Sequence, residues 1–168
     1  MAESGCLRDV QAQNLEVLGD VVVTGELKAP VAKAPVENGD ANLTVTEALH
    51  AGTIVMQTNV AADRTYTIPA PSVSGVSYRF LGQGTGAAAD GHDIILSTSA
   101  AGATMSGLIT HLDTGNEVGA YWGNGENTLQ INVPAGYDIS MIAKSTSPAV
   151  YYVTGTVTSA TAPSFTTA

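Results

Sequence analysis

Between Asn42 and Val157 short runs of alternating apolar residues recur, separated by turn residues, and no stretch sustains a 3.6-residue period. That pattern confines the chain to an all-β fold. Strands are predicted over 43–46, 53–58, 65–68, 76–81, 93–97, 118–122, 128–133, 137–143 and 150–157. Turns are expected at Ser74-Gly75, Asp90-Gly91, Asn124-Gly125 and Ala135-Gly136. In 128–133 the alternation places Leu129, Ile131 and Val133 inward and Thr128, Gln130 and Asn132 outward. Tyr66 with Ile68, Ile139 with Met141 and Tyr151 with Val153 follow the same rule. Only 46–51 reads as a helical turn. So many short strands in about 115 residues suit a jelly-roll-like β-sandwich.

The surface of such a fold must be made chiefly from Ser, Thr, Asn and Gln, because charged residues are only 12 % of the chain. With 44 % apolar residues the chain can bury a core. The net charge is −9, and the six basic residues (Arg8, Lys28, Lys33, Arg64, Arg79 and Lys144) stand singly. No cluster could neutralise a run of phosphates, which argues against nucleic acid as a partner. The same scarcity argues against an anionic membrane surface, and no run approaches the ~20 apolar residues of a membrane helix. Residues 1–10 lack the apolar segment of a secretory signal. Synthesis in a cytoplasm, without secretion, is the expectation. Cys6 has no second cysteine to pair with, so packing or assembly must supply stability.

Ahead of the sandwich the organisation differs. Residues 1–13 are polar and read as a flexible N-terminal arm. Residues 14–29 hold a six-residue unit, Leu15-Glu-Val-Leu-Gly-Asp, repeated as Val21-Val-Val-Thr-Gly-Glu and followed by Leu27. Leu15, Val17, Val21, Val23 and Leu27 share one face of an extended strand. Two such units cannot cover their own apolar face, so this extended β-arm must be covered by the rest of its own chain, by sister subunits or by another protein, and the stiff segment that follows favours contact outside its own domain. Residues 30–41, with Pro30, Pro35 and the Asn38-Gly39 turn, read as a linker. The sandwich then spans 42–160, and 161–168 reads as a polar tail.

No catalytic constellation emerges, and the chain reads as non-enzymatic, with no catalytic or metal residues assigned and no cofactor. Gly82-Gln-Gly84-Thr-Gly86 leads into another strand rather than into the helix N-terminus a phosphate cradle needs. Asp90, His92 and Asp93 could begin a metal site, but Asp90-Gly91 is equally a hairpin turn. His50 and His111 stand alone. Tyr121 and Trp122 precede Gly123-Asn124-Gly125 and offer either an interface anchor or a sugar-stacking platform; adjacent strand residues, however, face opposite ways. A hydrolase on a lectin-like sandwich would use Asp90 and Asp93 as paired acids in a groove.

Two passages carry a resemblance. Leu43-Thr-Val-Thr-Glu-Ala-Leu-His-Ala-Gly-Thr-Ile-Val-Met-Gln and Arg64-Thr-Tyr-Thr-Ile-Pro-Ala-Pro-Ser-Val-Ser-Gly-Val-Ser-Tyr-Arg-Phe resemble segments of virion proteins of tailed bacteriophages. The repeat from Leu15 to Leu27 is similar to the Val-x-Gly repeats of phage fibre, spike and head-decoration proteins. The resemblance implies a capsid decoration (cement) protein, a homotrimer seated on the major capsid protein at the virion surface, where it bridges neighbouring capsid subunits. The alternative it leaves open is a fibre or spike head that binds host glycans.

Overall fold

The computed structural model describes residues 33–58, 60–83, 91–113, 115 and 117–168. The repeat residues Leu15, Val17, Val21, Val23 and Leu27, together with Cys6, Gly84, Gly86 and Asp90, lie outside the described residues. Those described belong to one compact unit, Ala32–Ala168.

An all-β architecture is what the alternation demands, and it is what forms. Strands β1 (Val36–Asn38), β3 (Ile54–Gln57) and β5 (Ser77–Gln83) lie side by side in a seven-stranded sheet. That sheet continues through β10 (Pro134–Thr146), β11 (Ala149–Ser159), β7 (Thr104–Asp113) and β8 (Val118–Glu126). The second sheet, of five strands, runs β12 (Ser164–Thr166), β9 (Thr128–Ile131), β6 (Ile94–Ser97), β4 (Arg64–Thr67), β2 (Leu43–Thr44). One helical turn, α1 (Glu47–His50), falls inside the predicted 46–51, and a 3-10 turn at Ser99–Ala101 lies outside it. No helix among the described residues is long and apolar enough to cross a membrane.

Both sheets are mixed, and the reason lies in how the chain winds. From β1 to β6 successive strands alternate between the two sheets. Each return to a sheet runs in the same direction as the strand before it, so β1–β3–β5 and β2–β4–β6 are all parallel neighbours. The first half is thus a flattened coil. After β6 hairpins take over: β7–β8 and β10–β11 pair antiparallel. β10 joins the two halves by pairing with β5 on one side and β11 on the other.

The sheets face each other across the core. Tyr66 of β4 and Phe80 of β5 meet at a ring separation of 5.7 Å, and the Tyr151 hydroxyl of β11 donates to the Pro69 carbonyl at 2.9 Å. Tyr66, Ile68, Ile139, Met141, Tyr151 and Val153 are all fully buried, as their alternation predicts. A side chain of this size contributes about 1.5–3 kcal/mol when removed from water.

Several expectations need correction. β1 lies in the predicted linker and β12 in the predicted polar tail; each has only three residues, too few for a period to show. β7 was not foreseen. Of its inward positions Met105, Gly107, Ile109 and His111, two are glycine and histidine, which mutes the apolar alternation. Asn124-Gly125 is no turn: β8 runs through it to Glu126, and Gly125 (φ 106°) sits at a register shift in the β7–β8 pairing. Ala135-Gly136 likewise lies within β10, at its irregular pairing with β11. In 128–133, Leu129 and Ile131 are buried, but so is Thr128, while Val133 (φ 40°) leaves the strand and donates its N–H to Asp93 Oδ1 at 3.0 Å.

Candidate functional site

The solvent face of the seven-stranded sheet collects most of the exposed large apolar side chains, and the strand register defines its rows. One row runs Trp122, Leu108, Thr154, Ser140, Arg79, Ile54 across β8, β7, β11, β10, β5 and β3. The next contains Ala120, Thr110, Thr156, Asp138, Leu81 and Met56 in the same strands. On either side lie the pairs Ile142–Tyr152 and Leu112–Val118. Directly opposed side chains on one face of a sheet touch, so these are apolar cross-strand pairs open to water. Ile142 and Tyr152 are each about half exposed, and Trp122 is 72 % exposed.

Charge is sparse on this face and largely self-satisfied. Arg79 grips Asp138 with both Nε (2.9 Å) and Nη2 (2.6 Å). The bidentate bond from Arg79 holds the Asp138 carboxyl below its usual range, and Asp138 in turn raises the guanidinium. Beside this pair a depression of about 320 Å³ opens between Met56, Leu81, Asp138 and Thr156, floored by Tyr137. The Tyr137 hydroxyl is buried, and burial pushes its ionisation well above the ordinary phenol value. Beneath it the Asn38 amide and the Tyr66 hydroxyl both donate to Gln57 Oε1, which anchors β1 to β3.

Tyr121 and Trp122 do not act together. Tyr121 turns inward and stands edge-on to His111 at 5.7 Å, whereas Trp122 lies on the solvent face beside Leu108. A two-ring platform from this pair is therefore excluded by strand geometry. The aromatic companions on the solvent face are Trp122 and Tyr152, which sequence alone does not associate.

The polar cluster around His92 is a latch. Asp93 spends one carboxylate oxygen on the Val133 N–H and the other on Gln130 Nε2 at 2.6 Å. His92 Nδ1 lies 3.7 Å from Asp63 Oδ1, and that oxygen also accepts the Asp93 N–H at 2.9 Å. These bonds tie β6 to β9 and to the segment before β4. Among the described residues no three His, Cys, Asp or Glu side chains are grouped to hold a metal. His50 accepts the Thr46 N–H through Nδ1 at 2.9 Å, and His111 Nε2 lies 3.0 Å from the Ser159 carbonyl. Both serve the interior.

Comparison with protein-family models, with curated proteins and with solved structures finds no match to this chain.

Proposed function

We propose that the chain is a structural protein of a phage virion, a decoration protein that lays the solvent face of its seven-stranded sheet against the major capsid protein and bridges neighbouring capsid subunits. The observation that carries this reading is the open Ile142–Tyr152 pair on the inner strands β10 and β11, toward one end of a broad, charge-poor sheet face, with Met56 and Leu81 on the strands beyond. Apolar side chains gathered on one face and ringed by Thr and Ser have the make-up of a protein-binding surface. The two passages that resemble phage virion proteins supply β2, β3, β4 and the first part of β5, of which β3 and β5 belong to this face. We read the finer architecture as a jelly-roll-like sandwich whose first half is wound in parallel. The repeat around Leu15–Leu27 adds a second contact to the capsid.

Capsids assembled without this chain provide the test. Tyr152→Ser combined with Ile142→Ser is expected to weaken binding of the chain to such capsids by tenfold or more, a loss of about 1.4 kcal/mol. Undiminished binding would overturn the proposed docking face. Saturable binding to host glycans, lost in Trp122→Ala, would instead place the chain among fibre or spike heads.

A further inference from the structure

Strand β8 ends the seven-stranded sheet, and two hydrogen bonds fix which of its backbone groups look outward. The Asp113 N–H donates to the Glu117 carbonyl at 2.8 Å, closing the β7–β8 hairpin. Antiparallel pairs alternate from that point, so Gly119, Tyr121 and Gly123 bond to β7. Val118, Ala120, Trp122 and Asn124 turn their N–H and C=O groups away from the sheet. Asn124 agrees independently, because its N–H donates to the Glu126 carboxylate. Among the described residues nothing caps the N–H or C=O groups of Val118, Ala120 and Trp122.

Exposed edges normally carry a lysine, a proline or an inward charge that discourages pairing. β8 has neither lysine nor proline, and its one carboxylate cap guards only Asn124. The three uncapped residues also place their side chains on the solvent face, where Val118 is 70 % and Trp122 72 % exposed. A bare edge and bare apolar side chains coincide on the same residues.

We propose that β8 pairs antiparallel with β8 of a second copy, about a two-fold axis through Ala120. In this register Val118 faces Trp122 of the second copy, Trp122 faces its Val118, and Ala120 faces its own counterpart. Each uncapped residue then exchanges both backbone bonds, about six in all. The row Leu108–Trp122 continues into Val118 and Leu112 of the second copy, so the two most exposed apolar side chains of β8 cover each other. The Ala120 methyls on the axis leave room for the indoles on either side. On the inner face Tyr121 falls opposite Gly119 of the second copy, where that copy's own Tyr121 ring lies, so the two phenol rings meet across the axis. Charge fits as well: Glu117 comes opposite Gly123, and no carboxylate meets another, which matters for a chain of net charge −9. The contact is isologous and gives pairs, in place of the threefold assembly that the phage resemblance implies. It stands whether or not the chain binds a capsid.

The test uses the full chain. Light scattering across a concentration series should show a dimer that dissociates on dilution, and hydrogen exchange should slow at the Val118, Ala120 and Trp122 amides as it forms. Ala120→Pro removes an N–H that bonds to nothing among the described residues and blocks the edge. It should weaken association at least tenfold and return those amides to fast exchange. Trp122→Glu, a change at an exposed side chain, should do the same and serves if the proline variant does not fold. Tyr152→Ser with Ile142→Ser should leave association intact, which separates this contact from capsid docking. A monomer at every concentration, a trimer, unprotected edge amides, or association that survives both Ala120→Pro and Trp122→Glu would each overturn the pairing.

Discussion

A side chain at Gly107 would lie 1.8 Å from the carbonyl oxygen of Val153, so the pairing of these two residues across β7 and β11 leaves no room for anything larger than glycine. The obstacle is backbone, which cannot rotate away. Gly107→Ala should therefore cost about 3 kcal/mol or more, at the upper end of overpacking effects. Gly39, with open space around its Cα, is the control: Gly39→Ala should change stability little. Chemical denaturation of the two variants checks this, and equal midpoints would contradict it.

Trp122 and Ile139 separate surface from core. Ile139 is fully buried between the sheets, and Ile139→Ala should cost about 2–5 kcal/mol. Trp122→Ala should shift the stability of the isolated protomer by no more than about 0.5 kcal/mol, because its ring lies on the solvent face. Thermal melts at a concentration low enough to keep the protein monomeric measure both.

Alkaline pH should unfold the protein cooperatively. Burial raises the phenol ionisation of Tyr66, Tyr78, Tyr137 and Tyr151, so the folded state holds protons that the unfolded chain releases near pH 10. Stability from these groups is fully present below about pH 10 and is lost as pH rises beyond it. Tyrosinate absorbance should therefore appear together with the loss of far-ultraviolet strand signal. Phenols that titrate freely while the fold persists would contradict this account.

At the acid end the sign reverses. Asp138 is held low by the Arg79 bond, Asp40 by the Ala61 N–H and then by Arg64, and Glu47 by the Ser72 hydroxyl and N–H. Their contribution is present above the ordinary carboxylate range near pH 4 and fades as pH falls below it. Asp138→Asn should flatten the acid limb of the stability curve by lowering its neutral plateau toward the acid value, and only slightly, since the Arg79 pair is largely exposed. Denaturant midpoints between about pH 2 and pH 7 would show the difference.

How much of this was legible in the sequence follows from how local each cause is. Tyr66 with Ile68, and Ile139 with Met141, announce buried strand faces because a two-residue period is written in adjacent positions. The helical turn at Glu47–His50 is equally local. The parallel coil from β1 to β6 is not, because its pairings join residues such as Tyr66 and Leu96 that are far apart in the chain. β7 carries no clear apolar alternation, because Gly107, which has no room for a side chain beside Val153, is blank at a position that would mark the strand. The solvent face suffered similarly. Trp122 is visible as an aromatic, yet its companions Leu108 and Tyr152 come from strands that only the register brings near.

The bridging role of β10 has a consequence for how the molecule is made. Within the seven-stranded sheet, β1, β3 and β5 reach β11, β7 and β8 only through β10. A nascent chain stalled before Pro134 therefore carries sheet fragments that share no member, whatever their individual tendency to form. Completion must wait for the ribosome to release the C-terminal strands, and truncation there should be far more damaging than its length suggests.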